Sequence, residues 1–214
     1  MKLNRRTFGQ SLALSAIAAT ATTAFSAGAL AQSFSPDDLH AAPAIGDKTL
    51  GPDDASVIVV EYASATCPHC AAFHTGTFKE LKSEFIDTGK IKFISREFPL
   101  DDLALAGFMV ARCVPDDKYF GMLDLIYEQQ RTWAGQNART ELLKMAKLAG
   151  LSEAEFDACL KNEELAKGIL AIRKDGAEKF DVKATPTFYV NGKKMEGDRD
   201  IAGFRKAIEA AASS

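Results

Sequence analysis

The chain has 214 residues, of which 47% are hydrophobic and 26% are charged, and its formal net charge is −3. This length is enough for one domain with a sizeable core, or one domain with a subdomain, and the composition excludes a disordered protein. No basic surface is indicated, so nucleic acid is not an expected partner.

Residues 1–31 have the features of an export signal. Lys2, Arg5 and Arg6 precede a weakly apolar stretch, and Ala29-Leu30-Ala31 has the small-x-small pattern of a cleavage site. The adjacent arginines resemble a twin-arginine signal, although ordinary secretory signals share these features. An uncleaved membrane anchor is a further alternative, but the apolar run is short for one. We expect cleavage after Ala31 and a soluble periplasmic protein.

The segment after the signal begins with polar and turn-forming residues. Residues 32–47 contain two Pro, one Gly and three Asp, which indicates an exposed, flexible arm. A short strand is predicted at Lys48–Leu50, and the apolar run Val57–Tyr62 predicts a buried strand. Glu61 is the one charged residue in this run. Alternation places it on the same face as Val57, so we favour burial over a position facing solvent.

Two cysteines lie where this strand turns into a helix. In Cys67-Pro68-His69-Cys70, Pro68 fits the first helical position because it has no N–H to leave unpaired, so Cys67 is the expected N-cap. A sulfur there faces the free N–H groups and the positive end of the helix dipole, which favour a thiolate. His69 can add an N–H donor or a positive charge. The pattern predicts an exposed, nucleophilic Cys67 and a resolving Cys70.

A zinc site is the alternative interpretation of this motif. His74 extends it to Cys67-x2-Cys70-x3-His74, which has metal-ligand spacing. A structural zinc requires four ligands, and the sequence contains no second cluster of Cys and His. The strand–CxxC–helix context therefore predicts a redox pair that needs no metal and no cofactor.

The middle of the chain predicts one more strand and a block of helices. Ile91–Phe98 alternates apolar and polar residues, so the strand, helix and strand form a parallel βαβ unit. Residues 101–174 carry several helical patterns, one of which opens with a capping box at Ser152-x-x-Glu155. Trp133 in this block is expected to pack between helices, although a place in a substrate groove is also conceivable.

The C-terminal part returns to the sheet. Thr187–Val190 and Lys193–Glu196 flank Asn191-Gly192, which is a strong hairpin signal. A final helix follows and carries Ile201, Phe204 and Ile208 on one face.

Three features together resemble a known family. These are the Cys67–Cys70 motif, Glu61 six residues before its first cysteine, and Thr185-Pro186 far downstream. They are similar to the DsbA-type thiol–disulfide oxidoreductases, which are exported proteins with a thioredoxin fold and a helical insertion. The resemblance covers nearly all of the chain after the signal. It implies an α/β, thioredoxin-like fold with an inserted α-helical subdomain, with the thioredoxin-like domain at 48–100 and 175–214 and the insertion at 101–174.

The resemblance also implies roles for the downstream pair and for the acid. Pro186 would be cis and would lie beside the cysteines, so that the backbone of Thr185 is free to pair with a substrate strand. From the sequence alone, a trans proline that starts a strand is the alternative. Glu61 would accept the proton of Cys70 when that thiol attacks a mixed disulfide. The best-known oxidases of the family have Val where this chain has Thr185, as some isomerases and reductases do.

The predicted function is that of a dithiol oxidase, which donates its Cys67–Cys70 disulfide to newly exported proteins. Stabilisation of the Cys67 thiolate makes the disulfide form oxidising. A disulfide reductase or isomerase is the alternative, but such enzymes usually carry an N-terminal dimerisation domain, for which residues 32–47 are too short. We therefore expect a monomer. A chaperone or metal-binding module without enzyme activity is disfavoured by the intact motif.

The resemblance further implies the partners of this reaction. Substrates would be unfolded or newly exported proteins that contain cysteine. The reoxidant would be a quinone-linked membrane protein of the DsbB type.

The two remaining cysteines predict a structural disulfide. The cysteine count is even in a protein expected to be exported, and Cys113 and Cys159 lie on inner faces of the helical block. Two free buried thiols are the alternative, because spacing along the chain does not fix geometry.

Overall fold

The computed structural model describes residues 33–213, so the predicted signal and its cleavage site lie outside the described residues. The strands are β1 Lys48–Leu50, β2 Val57–Ala63, β3 Ile91–Glu97, β4 Thr187–Val190 and β5 Lys193–Lys194. They form a five-stranded sheet in the order β1-β3-β2-β4-β5. Strands β2 and β3 are parallel, and the other neighbouring pairs are antiparallel.

Helices cover both faces of this sheet and form the insertion. They are α1 Pro36–His40, α2 Pro68–Thr75, α3 Thr77–Leu81, α4 Asp102–Cys113, α5 Tyr119–Glu128, α6 Gln130–Trp133, α7 Ala138–Leu148, α8 Glu153–Leu160, α9 Glu163–Lys179 and α10 Ile201–Ala212. A π-helical turn at Lys82–Ile86 continues α3, and a 3-10 turn at Asp116–Lys118 precedes α5. This is the α/β architecture with an inserted helical subdomain that the sequence predicts.

The central strand β2 is buried on both faces because its side chains alternate between two cores. Val57 and Val59 pack with residues of α2, α3 and α10, whereas Val60 and Tyr62 pack on the opposite face with α9. A strand that is covered on both faces has an almost continuous apolar sequence. The one acid in this strand, Glu61, is fully buried, as predicted.

A third core connects the insertion with the end of β2. Its buried residues come from all the helices from α4 to α9 and include both cysteines of the motif. Trp133 is fully buried there, and its Nε1–H donates to the carbonyl oxygen of Ile126 at 2.7 Å. A Cβ atom at Gly107 of α4 would lie 3.2 Å from the Trp133 ring, so this glycine allows close approach. Trp133 is therefore a helix-packing residue, as expected.

A buried ionic network joins the insertion to the sheet. Arg112 of α4 donates to both carboxylate oxygens of Glu97, at 2.5 and 3.0 Å, and the Tyr119 hydroxyl donates to the same carboxylate at 3.0 Å. The side chains of Arg112 and Glu97 are 4% and 0% exposed. A buried ion pair is tolerated when its remaining hydrogen-bonding groups are also satisfied. The network thus fixes α4 and α5 against the carboxyl end of β3.

The hairpin between β4 and β5 forms at the predicted place. Asn191 and Gly192 have φ of 44° and 81°, as a two-residue type I′ turn requires. The strand after the turn is shorter than predicted and ends at Lys194. Ser33 forms an antiparallel bridge with Lys193, and the Phe34 N–H donates to the Gly192 carbonyl oxygen at 2.8 Å. The N-terminal segment therefore covers the outer edge of β5.

Two predicted boundaries differ from the structure. Residues 33–47 lie against the sheet instead of standing free as an arm: Leu39 is fully buried, and the buried Arg96 donates to the carbonyl oxygen of Ala41 and to Asp47. A buried guanidinium requires such partners, which the polar composition of this segment does not reveal. The predicted boundary at residue 174 falls inside α9, a continuous helix that begins with the insertion and ends on the sheet.

Among the described residues, no helix combines the length and the apolarity that a membrane crossing demands.

Candidate active site

Cys67 is the N-cap of α2, and Pro68 occupies the first turn of that helix. The Cys67 carbonyl oxygen accepts from the Ala71 N–H at 3.1 Å, so the helical hydrogen bonds begin at this residue. The Cys67 thiol donates to the carbonyl oxygen of Thr185 at 3.2 Å. Only 6% of Cys67 is exposed, so the prediction of an exposed nucleophile is corrected to a nearly buried one.

The surroundings of Cys67 favour its thiolate. Its pKa falls from an ordinary value of 9.0 to about 5, chiefly because the Cys70 thiol donates a hydrogen bond to the sulfur. The Thr185 hydroxyl and the backbone N–H groups of Cys70 and His69 lower the pKa further, while burial acts in the opposite direction. The His69 side chain itself is exposed. The first-turn N–H groups therefore stabilise the thiolate as predicted, but His69 contributes through its backbone.

Cys70 lies one turn further along α2, and its pKa is shifted in the opposite direction to that of Cys67. It is fully buried, and the Ser64 N–H is 3.4 Å from its sulfur. Burial raises the pKa of Cys70 far above its ordinary value, and the hydrogen bond with Cys67 and the negative charge of Glu61 raise it further. The two thiols therefore divide into an ionised Cys67 and a protonated Cys70 at neutral pH.

The Thr185–Pro186 loop lies directly beside the reactive sulfur. The peptide bond between these residues is cis, and both residues are buried. The Thr185 hydroxyl oxygen is buried and has no hydrogen-bond partner among the described residues while Cys67 is a thiol. It is free to turn toward the sulfur once Cys67 ionises, which accounts for its effect on the Cys67 pKa.

Glu61 and His74 form a buried pair behind the cysteines. His74 Nε2 lies 2.8 Å from Glu61 Oε2, and the two side chains are 2% and 0% exposed. Sequence reasoning considered His74 only as a possible zinc ligand. His74 lies one turn after Cys70, on the face of α2 that packs on β2. This spacing could have indicated that His74 lies near Glu61. Within residues 33–213, no cluster of His, Cys, Asp and Glu has the arrangement of a metal site.

The insertion holds the loop that precedes Cys67. Gln130 Nε2 donates to the carbonyl oxygens of Ala65 and Cys67, at 2.9 and 3.0 Å. The Thr66 hydroxyl donates to Asp101 at 2.8 Å, and Asp101 also caps the first turn of α4. Sequence reasoning missed Gln130 and Asp101. Their contacts depend on how the insertion packs on the sheet domain, and no local pattern shows this packing.

Cys113 of α4 and Cys159 of α8 are joined by a disulfide, and their Cα atoms are 6.1 Å apart. The bridge closes a loop with a sequence separation of 46 residues. Cys67 and Cys70 are both free thiols, so the site is in its reduced form.

The sequence is similar to several named proteins. A thioredoxin family model matches residues 44–210. A Rickettsia bellii protein named as a candidate protein-disulfide oxidoreductase is 36% identical over 168 residues, covering 76% of this chain and 65% of that protein. The chain thus spans slightly less than two thirds of this rickettsial relative. A Bacillus anthracis protein named as a candidate disulfide bond formation protein D is 30% identical over 172 residues and is covered to 76% of its length.

Solved structures agree with these similarities. Wolbachia pipientis alpha-DsbA1 has a TM-score of 0.76 and 28% identity, covering 84% of this chain and 96% of that one. Bacillus subtilis BdbD in its oxidised form has a TM-score of 0.73 and 25% identity, covering 86% of this chain and 99% of that one. These matches show that the chain belongs to the thioredoxin family, among its DsbA-type members.

Proposed function

We propose that this chain is a protein-disulfide oxidoreductase that acts as a dithiol oxidase on exported proteins. The observation that carries the proposal is the difference in pKa between the two thiols of the motif. The pKa of Cys67 is lowered to about 5, whereas burial raises the pKa of Cys70 far above its ordinary value. A stabilised Cys67 thiolate favours the reduced protein, so the disulfide form tends to oxidise its partners.

The reaction begins with the Cys67–Cys70 disulfide. A substrate thiolate attacks Cys67 Sγ, the intramolecular S–S bond breaks, and Cys70 leaves with the electron pair and takes up a proton. A second substrate thiolate then attacks the substrate sulfur of the mixed disulfide, and Cys67 leaves as a thiolate. The substrate has lost two electrons and gained a disulfide, and the protein is left as the dithiol. The low pKa of Cys67 makes this second step fast, because a more stable thiolate leaves more readily.

The Thr185–Pro186 loop is the proposed substrate-binding segment. It brings a backbone carbonyl within 3.2 Å of Cys67 Sγ, and an extended substrate chain could pair with this backbone. Glu61 is the proposed proton carrier for Cys70, since it is fully buried and its charge acts on the Cys70 thiol. His69 and Pro68 shape the first turn of α2 on the exposed side of the motif.

Equilibration with glutathione buffers of graded composition tests the direction of the reaction. The protein should remain reduced in buffers that oxidise a thioredoxin-like dithiol, and thiol trapping reports the reduced fraction. A potential close to that of thioredoxin would instead assign the chain to the reductases, the alternative that Thr185 raises.

We further propose that the protein is exported to the periplasm and works there as a monomer. Its substrates would be newly exported cysteine-containing proteins, and a quinone-linked membrane protein of the DsbB type would reoxidise it. Cleavage after Ala31 predicts that N-terminal sequencing of the exported protein begins at Gln32. Recovery of the first residues in a membrane fraction would contradict that proposal.

A further inference from the structure

His74 is a buried titratable side chain that the reaction described above does not use. Its Nε2 atom lies 2.8 Å from Glu61 Oε2. Within the described part of the chain, two atoms of this pair are buried without any hydrogen-bond partner, namely Glu61 Oε1 and His74 Nδ1. The unpaired atoms limit where the protons of the pair can reside.

A neutral imidazole with its proton on Nε2 satisfies this geometry best. It donates to Glu61 Oε2 and leaves only acceptor atoms unpaired. A doubly protonated imidazole would bury an unpaired Nδ1–H, and so would the opposite tautomer, in which Nε2 accepts a hydrogen bond from a protonated Glu61. An unpaired buried donor loses its full hydration without compensation. The Nε2–H group therefore donates its hydrogen bond to Glu61 Oε2. The other carboxyl oxygen, Oε1, remains available to take up or release a proton.

Aromatic contacts hold the His74 ring in this orientation. The ring stacks on Tyr127 of the insertion, with centroids 4.2 Å apart and an interplanar angle of 14°. Phe73 and Phe78 contact it at centroid distances of 5.2 and 4.8 Å. Ring rotation, which would move Nε2 away from Glu61 and put a ring carbon in its place, is blocked by these three neighbouring rings.

The titratable groups around the pair come from three elements. Glu61 belongs to β2, and the two thiols of the motif precede His74 on α2. On α5 are Tyr127, which stacks on the His74 ring, and Asp124, whose pKa is raised by burial. Glu61 in turn interacts with Cys70. His74 therefore has acids on two sides, and Glu61 connects it to the thiol that exchanges its proton.

We propose that His74 is a positioning residue that directs the exchangeable proton of Glu61 to Oε1, the carboxyl oxygen that His74 does not contact. This inference rests on the proposed thiol–disulfide exchange. When Cys70 attacks Cys67 Sγ of the mixed disulfide, the Cys70 proton passes to Oε1 and the Cys67–Cys70 bond forms. The S–S bond between Cys67 and the substrate breaks, and the substrate sulfur leaves with the electron pair. In the oxidising direction the same proton returns from Oε1 to the departing Cys70. His74 keeps its own Nε2 proton throughout.

Two substitutions separate donation by His74 from its packing. His74→Phe keeps the ring that stacks on Tyr127 but removes the donor, whereas His74→Gln restores an N–H donor at about the same reach. Reduced protein is mixed with oxidised glutathione and quenched with acid, and mass spectrometry follows the mixed disulfide at Cys67. Cys70 then releases glutathione in a first-order step. His74→Phe should slow this release about tenfold or more near neutral pH, since a positioned acid or base supplies roughly 10²- to 10⁴-fold.

The Glu61→Gln background shows whether His74 acts through Glu61. His74→Phe should have no additional effect in that background, and His74→Gln alone should release glutathione at nearly the unchanged rate because it restores the donor. His40→Phe is the matched control. His40 Nε2 is also buried and has no hydrogen-bond partner among residues 33–213, but its charged neighbours include Arg96 and Asp47. Equal slowing by His74→Phe with and without Glu61→Gln would overturn the proposal.

A measurement on the unaltered protein is independent of whether these variants fold. Nitrogen-15 NMR of the imidazole at neutral pH should show His74 protonated on Nε2 and bare at Nδ1, and the opposite tautomer would refute the inference. The proposed function is tested separately. If the protein does not exchange disulfides with glutathione, the proposed function is wrong whichever His74 tautomer is present. An active chain with a bare Nε2 fails this inference alone.

Discussion

The reduced protein should gain stability as the pH rises, because Cys67 ionises far more readily in the folded state than in the unfolded state. Its pKa is about 5 when folded, against an ordinary value of 9.0. At about pH 7 this difference stabilises the reduced native state by roughly 2.7 kcal/mol, which corresponds to about 60 mV in a two-electron couple. The contribution is complete only above about pH 9 and disappears as the pH falls through about 5.

The assay compares reduced wild-type protein with reduced Cys67→Ser. Urea unfolding is followed by the fluorescence of Trp133, the single and fully buried tryptophan. Other titrating groups are common to both proteins, so the difference between their unfolding free energies isolates Cys67. It should rise by about 1.4 kcal/mol per pH unit between about pH 5 and pH 8.

The oxidised protein is the matched control, because a cysteine in a disulfide does not titrate. Its stability relative to Cys67→Ser should lack this slope. A flat difference between the two reduced proteins over the same pH range would show that the helix terminus and the Cys70 thiol do not stabilise a thiolate.

Four further predictions concern the remaining parts of the site and the insertion. Thr185→Val removes the buried hydroxyl that lowers the pKa of the neighbouring thiol, so alkylation titrations should show that pKa to be higher. Pro186→Ala should slow exchange with a cysteine-containing peptide and let mixed disulfides accumulate, which gel analysis after acid quenching would reveal. Joint replacement of Cys113 and Cys159 by Ala should lower the unfolding free energy by up to about 4 kcal/mol, from the closed loop they define; unchanged denaturation would contradict this. Gln130→Met removes the N–H donor from the buried carbonyl groups of Ala65 and Cys67. It should lower the unfolding free energy measured in urea by about 1–3 kcal/mol.

The sequence predicted the parts of the site that depend on neighbours in the chain. The N-cap position of Cys67 follows from Pro68 after it and the strand before it, and the turn at Asn191-Gly192 follows from the need for positive φ. The capping box at Ser152 and Glu155 forms as predicted. The resemblance to DsbA-type proteins is also confirmed by the family match and the solved structures.

The parts that the sequence did not predict depend on long-range packing. The contact between Gln130 and the Cys67 carbonyl joins residues 63 positions apart, and that between Arg112 and Glu97 joins helix to strand. Such pairs have no periodic signal. The nearly buried state of Cys67 has the same origin, because the Thr185 loop and the insertion cover it from opposite parts of the chain.

The bridge between Ser33 and Lys193 bears on the solubility of the protein. A sheet edge with unpaired N–H and C=O groups can recruit strands from other molecules, and short, lysine-bearing edge strands limit this tendency. β5 has only two residues, both of them lysine, and the chain around Phe34 lies along it while the Phe34 ring packs on Phe180 and Tyr189. Residues directly after the expected cleavage site thus protect the edge from aggregation. Shortened proteins that begin beyond Phe34 would expose it, so purification tags are better placed at the C-terminal end of α10.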